Sequence, residues 1–130
     1  MNADSPDGGR VRRIDAATIR LLPGGVIRIE GRILSAKAAR DFGRCISRFH
    51  ERAMNLRAPV VVDVAPLSWI SESAITVLVE WVLRVQHESP TRRYGVVFRV
   101  NPAVPWQRGT FGALLAVAPD VVSIQHAERG

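Results

Sequence analysis

Hydroxyl and carboxylate side chains gather in one stretch of this sequence, between Asp63 and Thr76, and they define the chemistry open to it. Ser71, Glu72, Ser73 and Thr76 stand where an apolar run gives way to a helical pattern. A serine at a helix start lies beside free backbone N–H groups and the positive end of the dipole, both of which stabilise a phosphate. Asp63 closes a β-branched run, a position from which a carboxylate accepts a phosphoryl group in some doubly wound sheets. That reaction also needs an acidic pair to hold magnesium, and no such pair follows the first β-prone run. Asp63 is therefore read as a structural residue that bonds the backbone of the next turn.

The remaining reactive types suggest less. His50, His87 and His126 share no metal-ligand spacing and are expected on the solvated surface, so no metal site is expected. Cys45 is the sole cysteine, which excludes an internal disulfide, and it adjoins the apolar face of a helix as a core residue rather than a nucleophile. Gly8-Gly9 and Gly24-Gly25 do not lead into helices, so neither forms a phosphate loop. No nucleophile, base and orienting group assemble from neighbouring motifs, and the chain is read as a non-enzyme without a cofactor.

The elements that must position these residues are legible from periodicity. Residues 17–22 and 26–33 are β-prone runs joined by Pro23, Gly24 and Gly25, which predicts a hairpin. From Ser35, a predicted N-cap, Ala39, Phe42, Ile46, Phe49 and Ala53 recur at helical spacing. The opposite side carries Lys37, Arg40, Arg44, Arg48 and Arg52, a basic stripe that is either a solvated face or a dock for acidic groups. Gly43 interrupts this helix without a local reason. Val60 to Val64 reads as a central strand of a parallel sheet, buried on both faces. Residues 65–68 are expected to turn, and a helix is expected from Ser71 to about Gln86, apolar around most of its circumference. A strand over 95–100, a helix over 105–118 weakened by Gly109 and Gly112, and a last strand over 121–124 complete an α/β pattern of mixed, mostly parallel sheet flanked by three to four helices. Trp69, Trp81 and Trp106 either fill the core or give the mostly apolar helix a partner surface.

Length and composition agree with one domain. At 130 residues with 47% apolar content, the chain can bury a single core. The polar residues 1–13 are expected to be a flexible tail, 14–127 the domain, and 128–130 a loose end. No secretory or membrane-spanning run stands out, so a cytoplasmic setting without membrane insertion is expected. The net charge of +6 is carried by arginine with Lys37 the only lysine, which suits an acidic partner, anionic lipid or nucleic acid, or reflects coding bias. A nucleic-acid role for the stripe is less favoured than protein binding.

The run from Val60 to Val79, VVVDVAPLSWISESAITVLV, resembles the signature of STAS domains, a hydrophobic strand ending near aspartate followed by an Asp-Ser-Ser-Gly-like helix start. Residues 25–33 are similar to the second strand of that family with its glycine, and 101–124 to its closing helix and strand, so the resemblance covers residues 17–124. It implies a STAS-like single domain acting as an anti-sigma-factor antagonist in transcription regulation and signalling. The implied partner is an anti-sigma factor that is also a serine kinase, and Ser73 falls on the serine such a kinase phosphorylates. Ser71, Glu72, Ser73, Thr76 and Val77 are the implied contact residues. Ser71 replaces the family's aspartate, Glu72 its first serine and Ala74 its glycine, so partner binding without phosphorylation stands beside the phosphoprotein reading. A STAS-type accessory subunit of a transporter or stress-signalling complex is the alternative, and a homodimer is a further partner considered.

Overall fold

A computed structural model describes residues 10–56 and 58–127. Ten elements follow in order: β1 (Arg10–Ile14), β2 (Ala17–Leu22), β3 (Val26–Ile33), α1 (Ala36–Leu56), β4 (Val60–Asp63), β5 (Leu67–Ile70), α2 (Glu72–His87), β6 (Val96–Val100), α3 (Pro105–Val117) and β7 (Val122–His126). The sheet runs β1-β2-β3-β4-β6-β7, with β5 paired to β3 off this path. The first three strands are antiparallel neighbours, while β3-β4, β4-β6, β6-β7 and β3-β5 are parallel. The α/β class, the mostly parallel mixed sheet and the central place of β4 agree with the expectation.

Two strands were not expected. Residues 10–13, assigned to a flexible tail, form most of β1 and pair with β2 from Arg10↔Leu21 to Ile14↔Ala17. Arginine-rich sequence reads as tail, yet charged side chains are a usual way to blunt an edge strand. Residues 1–9 and 128–130, also expected to be loose, lie outside the described residues. The second addition, β5, occupies part of the segment expected to turn. Strand β3 is long enough for two parallel neighbours on one side: Val26 to Arg28 pair with β4, and Gly31 to Ile33 pair with β5. Gly31, at φ +88°, marks the changeover, and a Cβ there would stand 2.2 Å from the Ala16 carbonyl oxygen. Only glycine fits this backbone crossing.

Helices cover one face of the sheet. Phe98 of β6 meets Phe111 of α3 at 5.1 Å and Trp81 of α2 at 6.4 Å, and Trp81 meets Phe49 of α1 at 6.0 Å between ring centroids. The core therefore joins all three helices to the same strand surface. Phe42, Phe98 and Phe111 are at most 1% exposed, and each such side chain contributes about 1.5–3 kcal/mol by burial. Strand β4 is not sealed on both faces as expected: Val60 and Val62 are buried under the helices, while Val61 is half-exposed on the other side. On that open face Asp63 sits between Arg28 Nε at 3.3 Å and Arg99 at 3.8 Å, from the strands on either side.

Candidate functional site: the start of the second helix

Local hydrogen bonds fix where α2 begins. The Ser71 backbone N–H donates to the Ile33 carbonyl at 2.8 Å, which ties the helix start to the end of β3. The Ser71 hydroxyl accepts from the Ala74 N–H at 3.3 Å, so Ser71 is the N-cap and satisfies one of the free donors of the first turn. Ser35 caps α1 in the same way, accepting from Ala38 N–H at 3.0 Å.

The turn before β5 is held from below. Asp63 Oδ1 accepts from Ala65 N–H at 3.1 Å, closing the end of β4. Gln107, completely buried on α3, donates from Nε2 to the carbonyls of Val64 at 2.8 Å and Leu67 at 2.9 Å. Its Oε1 accepts from Asn101 N–H at 2.8 Å. One amide thus bonds the β4–β5 turn to the loop after β6. Its signal in sequence is weak, since a lone glutamine in a helix is usually solvated.

The residues singled out at this helix start divide into two sets. Glu72, Ser73 and Thr76 are exposed, and Ser71 is half-exposed at the cap. The Thr76 hydroxyl donates to the Glu72 carbonyl at 3.0 Å, back along the helix. Val77 is separated from them. It is half-buried and faces α1, where its methyls lie 3.6 and 3.9 Å from the point a Cβ on Gly43 would occupy. Gly43 thus lies at the α1–α2 contact, and Val77 serves helix packing.

The three tryptophans also divide. Trp81 is 3% exposed and belongs to the core, whereas Trp69, two residues before the N-cap, is 49% exposed. Trp69 meets half-buried Trp106 edge-on at 5.2 Å between ring centroids, and Trp106 meets Phe111 at 6.3 Å. An aromatic pair therefore precedes the helix start, Trp69 two residues ahead of the cap and Trp106 braced against Phe111.

Histidine placement corrects the expectation of surface residues in one case. His50 is fully buried, with Nδ1 2.6 Å from Tyr94 Oη and Nε2 3.2 Å from Glu88. Trp81 Nε1–H donates to the same Tyr94 oxygen at 2.8 Å. The tyrosine hydrogen is then free to donate to Nδ1, leaving Nε2–H for Glu88. Burial holds the His50 imidazole below its ordinary pKa, against the opposing pull of Glu88. Burial also raises the Tyr94 phenol above its usual range. Burial likewise raises the Cys45 thiol, although Arg12 and Arg48 oppose it, so it stays protonated near neutral pH. Among the described residues no three His, Cys, Asp or Glu side chains gather as a metal site requires, and no helix is long and apolar enough to cross a membrane.

No protein-family model matches the chain, and no curated protein matches it in sequence. Solved structures do match in fold. SiaC of Pseudomonas aeruginosa superposes with a TM-score of 0.60 at 16% identity, covering 96% of this chain and 98% of that one. The structure of diguanylate cyclase SiaD with its activator SiaC, also from Pseudomonas aeruginosa, matches with a TM-score of 0.59 at 13% identity over 98% and 96%. An anti-sigma factor antagonist from Mycobacterium paratuberculosis gives 0.51 at 16% identity over 94% and 89%. A protein with a SpoIIAA-like fold from Shewanella loihica gives 0.52 at 10% identity over 94% and 86%. The chain has the STAS-like fold, as the motif at Val60–Val79 implied.

Proposed function

We propose that this chain is a regulatory protein-binding module, not a catalyst, whose partner docks on the start of α2. The observation that carries the reading is the exposure of Glu72, Ser73 and Thr76 beside Trp69, a large apolar ring left 49% exposed. Interfaces place aromatic anchors in their centre and polar groups around them, and this surface has both. Ser71, whose hydroxyl is used as the cap, lies at its margin.

The partner in this reading is an anti-sigma factor with serine-kinase character, and the chain acts as its antagonist in transcription control. Ser73 is the residue through which binding is regulated. As the second residue of α2 it lies among the free N–H groups of the first turn, which favour an added phosphate. A phosphoryl group would bring about −1.5 to −2 charges onto a surface that already carries Glu72, and so weaken docking of an acidic or apolar partner face. The likeness to SiaC, described with the cyclase that it activates, supports a second reading in which the partner is an enzyme held in an active state.

An affinity pull-down from the native cell tests the proposal, using wild type, Ser73→Glu and Trp69→Ala, with intact mass recorded for each bait. The expected result is a specific partner retained by wild type and lost from both variants, with an added phosphate on wild type but not on Ser73→Glu. If both variants retain every wild-type partner, the helix start is not the docking surface. The class of the captured protein, kinase-like or cyclase-like, separates the two readings.

A further inference from the structure

A second surface lies away from the serines, where β1 meets the later half of α1. A groove of about 540 Å³ is lined there by Arg10, Val11, Arg12 and Arg13 of β1, Ile19 and Leu21 of β2, and Cys45, Arg48, Phe49 and Arg52 of α1. No acidic residue is among its lining. Arg12 of the strand and Arg48 of the helix line the groove from its two walls, with Cys45 also in its lining. Like charges brought together over an apolar floor are costly unless an anion joins them.

The shape of the groove specifies the anion further. Four consecutive residues of β1 line it although their side chains alternate in direction, so it follows the strand's edge rather than one face. Among the described residues β1 is the terminal strand of the sheet, with β2 its only neighbour. Its outer backbone groups are a template for another extended chain. The four strand residues span about 10 Å at the usual rise of about 3.3 Å per residue. The helix positions Arg48 and Arg52 in the lining lie about 6 Å apart along the axis, so the helix cations run in a line beside the strand. A compact phosphate would use only part of that line. Single-stranded nucleic acid needs open aromatic faces for stacking, and the one ring lining the groove, Phe49, is 6% exposed.

We propose that an extended acidic segment of a partner protein adds to the sheet along β1, its carboxylates meeting Arg12, Arg48 and Arg52 on the helix side and its alternate apolar side chains lying on the opposite face beside Val11. The basic stripe of α1 then has a specific use in its second half. This surface is independent of the α2 start, and its failure leaves the reading of Ser73 untouched.

The probe is a fluorescent, acetylated peptide of about eight alternating Glu and Val residues, a length that exceeds the roughly four-residue strand edge. Binding is read by anisotropy and by deuterium exchange, with an alternating Lys and Val peptide and a thymidine oligonucleotide as controls. The acidic peptide is expected to bind and to slow exchange at Arg10–Ile14, while the lysine peptide does not bind. Arg48→Glu and Arg52→Glu, both changes on the exposed side of α1, are each expected to weaken binding about tenfold or more, equivalent to about 1.4 kcal/mol. Arg108→Glu on α3 and Ser73→Glu are expected to leave it unchanged. Absence of binding, binding without protection of the strand amides, or equal binding of the oligonucleotide would each overturn the proposal.

Discussion

Tyr94 Oη and His50 Nδ1 are 2.6 Å apart within the core, although 44 positions separate them in the chain. This contact connects α1 to the start of β6, and the Trp81 indole N–H, 2.8 Å from the same oxygen, adds α2. Two helices that cover the sheet are thus linked through one phenol to the segment that enters β6.

Removing that oxygen is a direct test. Tyr94→Phe keeps the ring and leaves Trp81 Nε1–H and His50 Nδ1 without their partner. An unsatisfied buried group costs about 1–3 kcal/mol, so the variant is expected to lose about 2–4 kcal/mol in urea unfolding. A loss below about 0.5 kcal/mol would show that the network is replaceable.

The same histidine predicts a pH dependence. Its folded-state pKa is lowered from 6.5 by burial, so below that value the unfolded chain takes up a proton that the folded chain resists. Its stabilising contribution is complete above about pH 7 and falls as pH drops below about 6.5, by at most about 1.4 kcal/mol per unit for a single proton. Denaturant titrations at pH 7.5, 6.5 and 5.5 should show this decline in wild type. His50→Gln should lose stability at every pH, with a flatter profile over the same window.

Three helical glycines offer changes in the opposite direction. A Cβ at Gly109 or Gly112 meets nothing within 4 Å, and at Gly43 it would stand 3.6 Å from a Val77 methyl, an ordinary contact. Alanine at each site is expected to add about 0.5–1 kcal/mol through helix propensity and reduced freedom of the unfolded chain. Gly31→Ala, with its Cβ 2.2 Å from Ala16 O, is expected to lower the melting temperature sharply. A neutral result at Gly31 would contradict the backbone crossing at the β2–β3–β5 junction.

Gln107 tests the support beneath the proposed docking surface. Gln107→Leu approximates the side-chain volume but abandons the carbonyls of Val64 and Leu67. About 2–4 kcal/mol of lost stability is expected from the orphaned groups. Faster amide exchange at Leu67–Ile70 and the first turn of α2 should accompany it, because the amide holds the turn that enters both. Faster exchange confined to α3 would show that the turn is held by other contacts.

What the sequence determined by itself was the set of features whose causes lie within a few residues of each other. The face of Ala39, Phe42, Ile46, Phe49 and Ala53, the caps at Ser35 and Ser71, and the β-branched run at Val60–Val64 all follow from periodicity and local hydrogen bonding. The STAS-like order of strands and helices was legible for the same reason, together with the motif around Ser73. Tertiary structure alone decided what depends on distant partners. Strand β1 exists because Arg10–Ile14 find β2, and β5 because β3 outlasts β4 and leaves Gly31–Ile33 open to pairing. His50 is interior because Tyr94 and Glu88 satisfy it, and Gln107 because it reaches carbonyls 40 and 43 positions away. Trp81 and Trp69, alike in type and in flanking sequence, take opposite roles because burial is a property of the packed elements, and no spacing along the chain records which ring meets another helix.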